Sequence, residues 1–112
     1  MEQLYEKMLE FTKMTEELPF DQFQAYYQEV VDYLQKEYQG LNQEDLLKAK
    51  GICNIIAGNA VGRGARKDAN SKKFKKMAEK TRFWHDAIQA RLLKEGLSQK
   101  EMDEKESELW KD

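Results

Sequence analysis

The sequence predicts an all-α domain: a compact bundle of four main helices plus a short C-terminal fifth, with antiparallel neighbours joined by Gly-Leu-[Asn/Ser] turns. Three observations predict it. One proline and few β-branched residues in 112 positions disfavour strands. Apolar residues recur at three- and four-residue spacing along most of the chain, the period of an amphipathic helix. Twice a Gly-Leu pair followed by a capping residue separates two such runs, at Gly40-Leu41-Asn42 and Gly96-Leu97-Ser98.

The first helix is expected over about residues 2–17. Leu4, Met8, Phe11 and Leu18 form its stripe, widened by Tyr5, Leu9 and Met14, with Glu2, Glu6 and Glu10 opposite. Pro19 biases Leu18 out of the α region and ends the helix or sits in the turn after it. The second helix is expected over 22–38. Asp21 and Gln24 have the form of a capping box, and Phe23, Tyr27, Val30, Leu34 and Tyr38 form the inner stripe. Gly40 is placed as its left-handed C-terminal residue.

The two Gly-Leu turns are the strongest local signals. In each, an acidic residue stands three places after the Asn or Ser, and a leucine before the cap can pack on the apolar residue at N4. That is a capping box with a hydrophobic staple.

The third helix, about 43–61, is the centre of the reading. From Gly51 to Gly62 it carries no charge, and a helix apolar nearly all round is normally a buried one. Gly51 and Gly58 cost about 1 kcal/mol each against alanine inside a helix, so they point to a packing reason. Asn54 and Asn59 would need partners if buried. Gly62-Arg63-Gly64 reads as a helix end and hinge, with a loop over 65–71. The fourth helix is expected over about 71–95, capped by Asn70 or Ser71, with Phe74, Met77, Ala78, Thr81, Trp84, Ile88 and Leu92 at helical spacing. The fifth, about 99–110, has only Met102, Leu109 and Trp110 as apolar residues.

A chain of this length is one domain, residues 1–112. Its single cysteine, Cys53, excludes an internal disulfide and a cysteine-based zinc cluster. The amphipathic, acidic start lacks the layout of a signal peptide. The longest uncharged run, 12 residues, is short of the roughly 20 needed to span a bilayer. The expectation is a cytoplasmic protein with no membrane partner.

The charge is segregated. Residues 1–62 carry a net −6, residues 63–94 a net +8 and residues 95–112 a net −4. The basic segment contains Arg63, Arg66, Lys67, Lys72, Lys73, Lys75, Lys76, Lys80 and Arg82. Lysines in the first turns of a helix oppose its dipole, by about 0.3–1 kcal/mol each when exposed. Either they pair weakly with the acidic helices, or they form a docking face for phosphate, nucleic acid or an acidic protein. A second candidate surface is Tyr26 with Tyr33, seven apart and so on one helix face. They read as core edge or as interface anchors, since tyrosine is enriched at interfaces.

Catalytic motifs are weak. The helix after Gly96 resembles a recognition helix in its turn but carries Glu101, Asp103, Glu104, Glu106 and Glu108, the wrong sign for a groove lined by phosphates. The glycine run Gly58–Gly64 fits no nucleotide-binding fingerprint and follows no strand. His85 would need an orienting partner for acid–base work. Cys53 lies in the most apolar stretch, where a thiol is usually inert filler. Position 82 is Arg, so the Glu-x-x-His spacing of bundle metal sites is absent. No enzyme, cofactor or metal is expected. The leading expectation is a small non-catalytic binding or regulatory protein acting through helix faces on another macromolecule, a protein or a second copy of itself. One alternative is a nucleic-acid-binding accessory protein using residues 63–82. Another is a mobile-element inhibitor that blocks a larger enzyme with an acidic face.

Overall fold

Ile52, Cys53 and Ala60 have no exposure at all, and Ile56 has 2%; the other helices are arranged to cover them. The computed structural model describes residues 1–110; Lys111 and Asp112, whose charges cancel, lie outside the described residues. The helices are α1 (Glu2–Thr12), α2 (Phe20–Glu37), α3 (Gln43–Gly64), α4 (Ser71–Lys94) and α5 (Gln99–Leu109). Helix accounts for 81% of the described residues, far above the globular average of about one third. No strand occurs among the described residues. The all-α class predicted from the sequence is the class observed.

The α3–α4 pair is the most extensive packing in the molecule. Phe74, Met77, Thr81, Ile88 and Leu92 form the buried face of α4. The Thr81 hydroxyl, with no exposure, donates to the Met77 carbonyl at 2.8 Å, so its burial leaves no orphaned donor. The helix α2 joins the core through Phe23, Val30 and Leu34, and α1 closes over them with Leu4 and Met8. Met102 of α5 is fully buried in the same core.

The second Gly-Leu turn forms as expected. Gly96 has φ +105°, and Gly96 and Leu97 donate to the carbonyls of Leu93 and Leu92 at 3.1 and 3.0 Å. That is a Schellman motif. Ser98 and Glu101 then complete a reciprocal capping box at the start of α5. The first turn differs. Asn42 caps α3 by accepting from the Asp45 amide at 2.8 Å, but Gly40 has no positive φ. It lies instead in a 3-10 turn, Tyr38–Gly40. Arg91 of α4 spans this turn, its guanidinium donating to the Tyr38 carbonyl and, at 2.8 Å, to the Leu41 carbonyl, so a long-range contact ties the turn down without a left-handed residue.

Three further boundaries depart from the expectation. The helix α1 stops at Thr12, not 17. The Thr12 hydroxyl bonds back to the Leu9 carbonyl at 2.8 Å, and Met14, expected on the inner stripe, is 48% exposed. Next, α2 begins at Phe20 with Pro19 as N-cap, so Asp21 sits within the first turn and the Asp21/Gln24 box does not form. Finally, Gly62-Arg63-Gly64 does not break α3, which runs on through Gly64. Gly64 is where α3 meets the start of α4: a Cβ there would lie 3.3 Å from Lys75 and 3.5 Å from the Ser71 carbonyl. Neither Asn70 nor Ser71 caps α4 with its side chain; Asp68 accepts from the Asn70 amide at 2.8 Å instead.

Nor is α3 buried all round. Asn54, Gly58, Val61 and Gly62 form an open, uncharged stripe. Conversely, Lys48 and Lys50 are buried. Lys48 pairs with Glu2 at 2.7 Å and Glu44 at 3.3 Å, and Lys50 with Glu106 of α5 at 2.9 Å. These pairs lie within and between the acidic segments; among the described residues the basic segment is paired with them through Arg66 to Glu17 and Arg91 to Glu95, and not through its lysines.

Two stability outcomes follow from this packing. A Cβ on Gly51 would sit 2.1 Å from the Trp110 indole nitrogen, whereas one on Gly58 meets nothing. In urea denaturation, Gly51→Ala is expected to destabilise by roughly 1–3 kcal/mol through overpacking, and Gly58→Ala to stabilise by about 1 kcal/mol. Glu106→Ala strands the Lys50 ammonium and is expected to cost about 3 kcal/mol, the low end for a broken buried pair, read in the same denaturation experiment.

Candidate functional site: the outward face of α4

Residues of α4 that point away from α3 are set by the helix period. Lys72, Lys76, Phe83, Ala90 and Lys94 fall on one outward line, with Lys73 and Lys80 on one side and Lys75 and Arg82 on the other. All of these are exposed except Lys80, which is half-buried. Phe83, just past the last of the six cations from Lys72 to Arg82, is 61% exposed. Its ring lies edge-on to Trp84 with centroids 5.6 Å apart, and the Lys80 ammonium stands 6.0 Å from its centroid. The Lys73 ammonium lies 5.4 Å from the Phe20 ring. Trp84 is itself half-buried against Tyr38, at 5.4 Å.

None of Lys72, Lys73, Lys75, Lys76, Lys80 and Arg82 forms an ion pair among the described residues. Lys72 and Lys73 also sit in the first turn of α4, where the macrodipole opposes them, and no acidic residue offsets them there. The face holds two carboxylates, Glu79 and Asp86, both exposed. Asp86 engages His85 Nδ1 at 3.0 Å.

The structure divides the nine basic residues singled out in the sequence. Arg63 does not belong to the exposed face. It is 6% exposed, donates from Nη1 to the Leu18 carbonyl at 2.8 Å and lies 4.4 Å from the Phe23 ring centroid. Burial pushes its pKa down. Arg66 is exposed but occupied, donating twice to Glu17 at 2.6 and 2.8 Å. Lys67, with φ +56°, is exposed in the turn before α4. The other six share the α4 face.

The tyrosine pair is core edge and does not form an exposed anchor. Tyr26 is 5% exposed and donates to the Leu4 carbonyl at 2.6 Å. Tyr33 is half-buried, its hydroxyl accepting from the Met1 ammonium at 2.9 Å. Both hydroxyls face α1, which closes over that side of α2. The residue that the tyrosine reading missed is Phe83. Its signal was present, as the aromatic set seven after Lys76 on a helix whose inner stripe runs through Phe74, Thr81 and Ile88.

Other reactive groups are not assembled. Cys53 has no exposure, and desolvation pushes its thiol up to about 12. Among the described residues there is no cluster of three or more His, Cys, Asp or Glu placed to hold a metal ion. No described helix is long and apolar enough to cross a membrane. Fold and face together define an all-α bundle with one unpaired basic helix surface. Comparisons with protein-family models, curated proteins and solved structures found no match.

Two outcomes test this geometry. Cys53 is expected to resist iodoacetamide at pH 7 in the folded protein and to react fully in denaturant, because the thiolate is the nucleophile. The hydrogen bonds from Arg66 hold the Glu17 carboxyl below its ordinary value of 4.5. A depressed carboxyl stabilises the fold above its unfolded pKa, and the contribution is lost as pH falls through the folded one. Carboxyl NMR titration is expected to place Glu17 below pH 4.5, and Arg66→Gln to move it back up.

Proposed function

We propose that the chain is a small non-catalytic binding protein that docks an acidic surface of another protein through the outward face of α4. The observation that carries this reading is the row of six cations from Lys72 to Arg82, ending at exposed Phe83, with no carboxylate partner among the described residues. Unpaired cations steer an acidic partner and fix its register. The aromatic at the end of the row supplies the desolvated anchor on which binding energy concentrates.

A nucleic-acid partner has weaker support from the same residues. Single strands are held in basic grooves with successive stacking rings, and this face is a convex helix with one exposed ring, since Phe74 is 4% exposed. Glu79 and Asp86 would also meet the phosphates. A second copy of the chain is the remaining occupant: α5 exposes Glu101, Asp103, Glu104 and Glu108.

The test is photo-crosslinking in the native host from a benzophenone side chain at position 83. A crosslinked protein is expected, and it should be lost when Lys72, Lys73, Lys75 and Lys76 are changed to Gln. With that partner purified, Phe83→Ala is expected to weaken binding by about 2 kcal/mol, the size of an interface anchor, and Tyr33→Ala to leave it unchanged. A nuclease-sensitive product would move the reading to nucleic acid, with a salt slope near −0.9 per phosphate neutralised on duplex DNA. A crosslink to the chain itself would move it to self-association. No lysine-dependent crosslink at all would overturn it.

A further inference from the structure

A cleft of about 410 Å3 opens between residues 12–18 and α3. It exists because α1 stops at Thr12. Chain that would have continued the helix crosses above α3 as a roof, and Phe11, Phe23, Tyr26 and Ile56 form apolar walls beneath it. This volume lies within the range of small-molecule sites, roughly 300–1,000 Å3, which are mostly apolar with a few placed polar groups.

The polar group here is Arg63. Its side chain is 7% exposed and lines the cleft. Nη1 is used by the Leu18 carbonyl. Nε is buried without a hydrogen-bond partner, its nearest anion being Glu17 Oε2 at 3.8 Å. That carboxylate is already committed to Arg66 by two shorter bonds. Two guanidinium groups therefore share one carboxylate, and the buried one, whose residue lines the cleft, keeps an unsatisfied donor. Guanidinium N–H groups match a carboxylate well. Glu16 and Glu17, both on the roof, would repel a multiply charged anion.

We infer that this cleft binds a monoanionic amphiphile: a medium-chain carboxylate whose head group takes the place of the Glu17 carboxylate beside Arg63 Nε and whose chain lies against Phe11, Tyr26 and Ile56. Head-group charge and chain burial both contribute. Each methylene buried strengthens binding about fourfold until the cavity is filled. The site is independent of the α4 face, and either can fail without the other.

Methionine methyl NMR on the full chain tests it, with decanoate below its micellar concentration as the probe. Met8 and Met14 line the cleft, while Met77 and Met102 are buried elsewhere in the core. The expected result is saturable movement of the Met8 and Met14 methyls alone, with hexanoate binding more weakly and decanol at least tenfold more weakly. Glu17→Gln, at a half-exposed position, removes the competing carboxylate and should tighten decanoate severalfold. Arg63→Gln, with its helicity checked by circular dichroism, should abolish the preference for decanoate over decanol. The proposal is overturned by no saturable shift up to about 1 mM, by equal affinity for acid and alcohol, by uniform movement of all methyls, or by unchanged or weaker binding in Glu17→Gln.

Discussion

Burial of the uncharged run at the centre of α3 is the constraint from which the rest of this molecule follows. Ile52, Cys53, Ile56 and Ala60 present no charge to any neighbour, so α3 can be surrounded but cannot be solvated. Covering a helix on most of its sides takes several elements, and the chain supplies them by running four amphipathic helices around it. The lysines of α3, Lys48 and Lys50, lie at its N-terminal half, where each reaches a glutamate from a covering helix. These pairs offset the cost of bringing ammonium groups close to the core, and they choose which helix covers which side. Their effect lies more in specifying the arrangement than in net stability, since replacing such a pair with apolar residues is often neutral.

Charge segregation in the sequence has two different fates in the fold. The acidic segments are partly consumed: Glu2, Glu17, Glu44, Glu95 and Glu106 each meet a cation. Those cations are Lys48, Lys50, Arg66 and Arg91, at the edges of the basic segment or outside its lysine cluster. The cluster itself is left over. An uncompensated set of like charges repels itself and raises the energy of the compact state. Its persistence on a single helix face, ending at an exposed phenylalanine, is what separates it from an ordinary solvated surface.

Much of the fold was legible because its signals are local. Gly96-Leu97-Ser98 and Glu101 contain, within six residues, every group needed to stop one helix and start the next, and they form as read. The glycine at position 40 carries the same local signal with a different outcome: its turn is tied to Arg91, a distant residue of α4, through the Tyr38 and Leu41 carbonyls. The same kind of long-range contact accounts for Arg63, which lies among exposed basic residues in the sequence but is drawn inward by Phe23, Phe74 and the Leu18 carbonyl. It also accounts for the end of α1, since the roof segment is tied to Arg63 and Arg66 of α3. Outward-facing positions of α4 follow from periodicity alone, so the basic face was readable. Which of its cations would find partners was not, because pairing depends on which helices become neighbours.

The open stripe Asn54, Gly58, Val61 and Gly62 has a consequence for how the molecule breathes. At Gly58 and Gly62 the backbone on that side of α3 is open to water with no side chain to shield it, while residues 46–53 of the helix are buried. Local opening favours segments with exposed backbone hydrogen bonds and few apolar contacts. The last two turns of α3 and the roof segment tied to them by Arg63 and Arg66 therefore make up one low-stability unit. Amide exchange in that unit would run ahead of exchange around Ile52 and Ile88. The cavity beneath the roof can thus admit solvent or a guest while the center of the bundle stays closed.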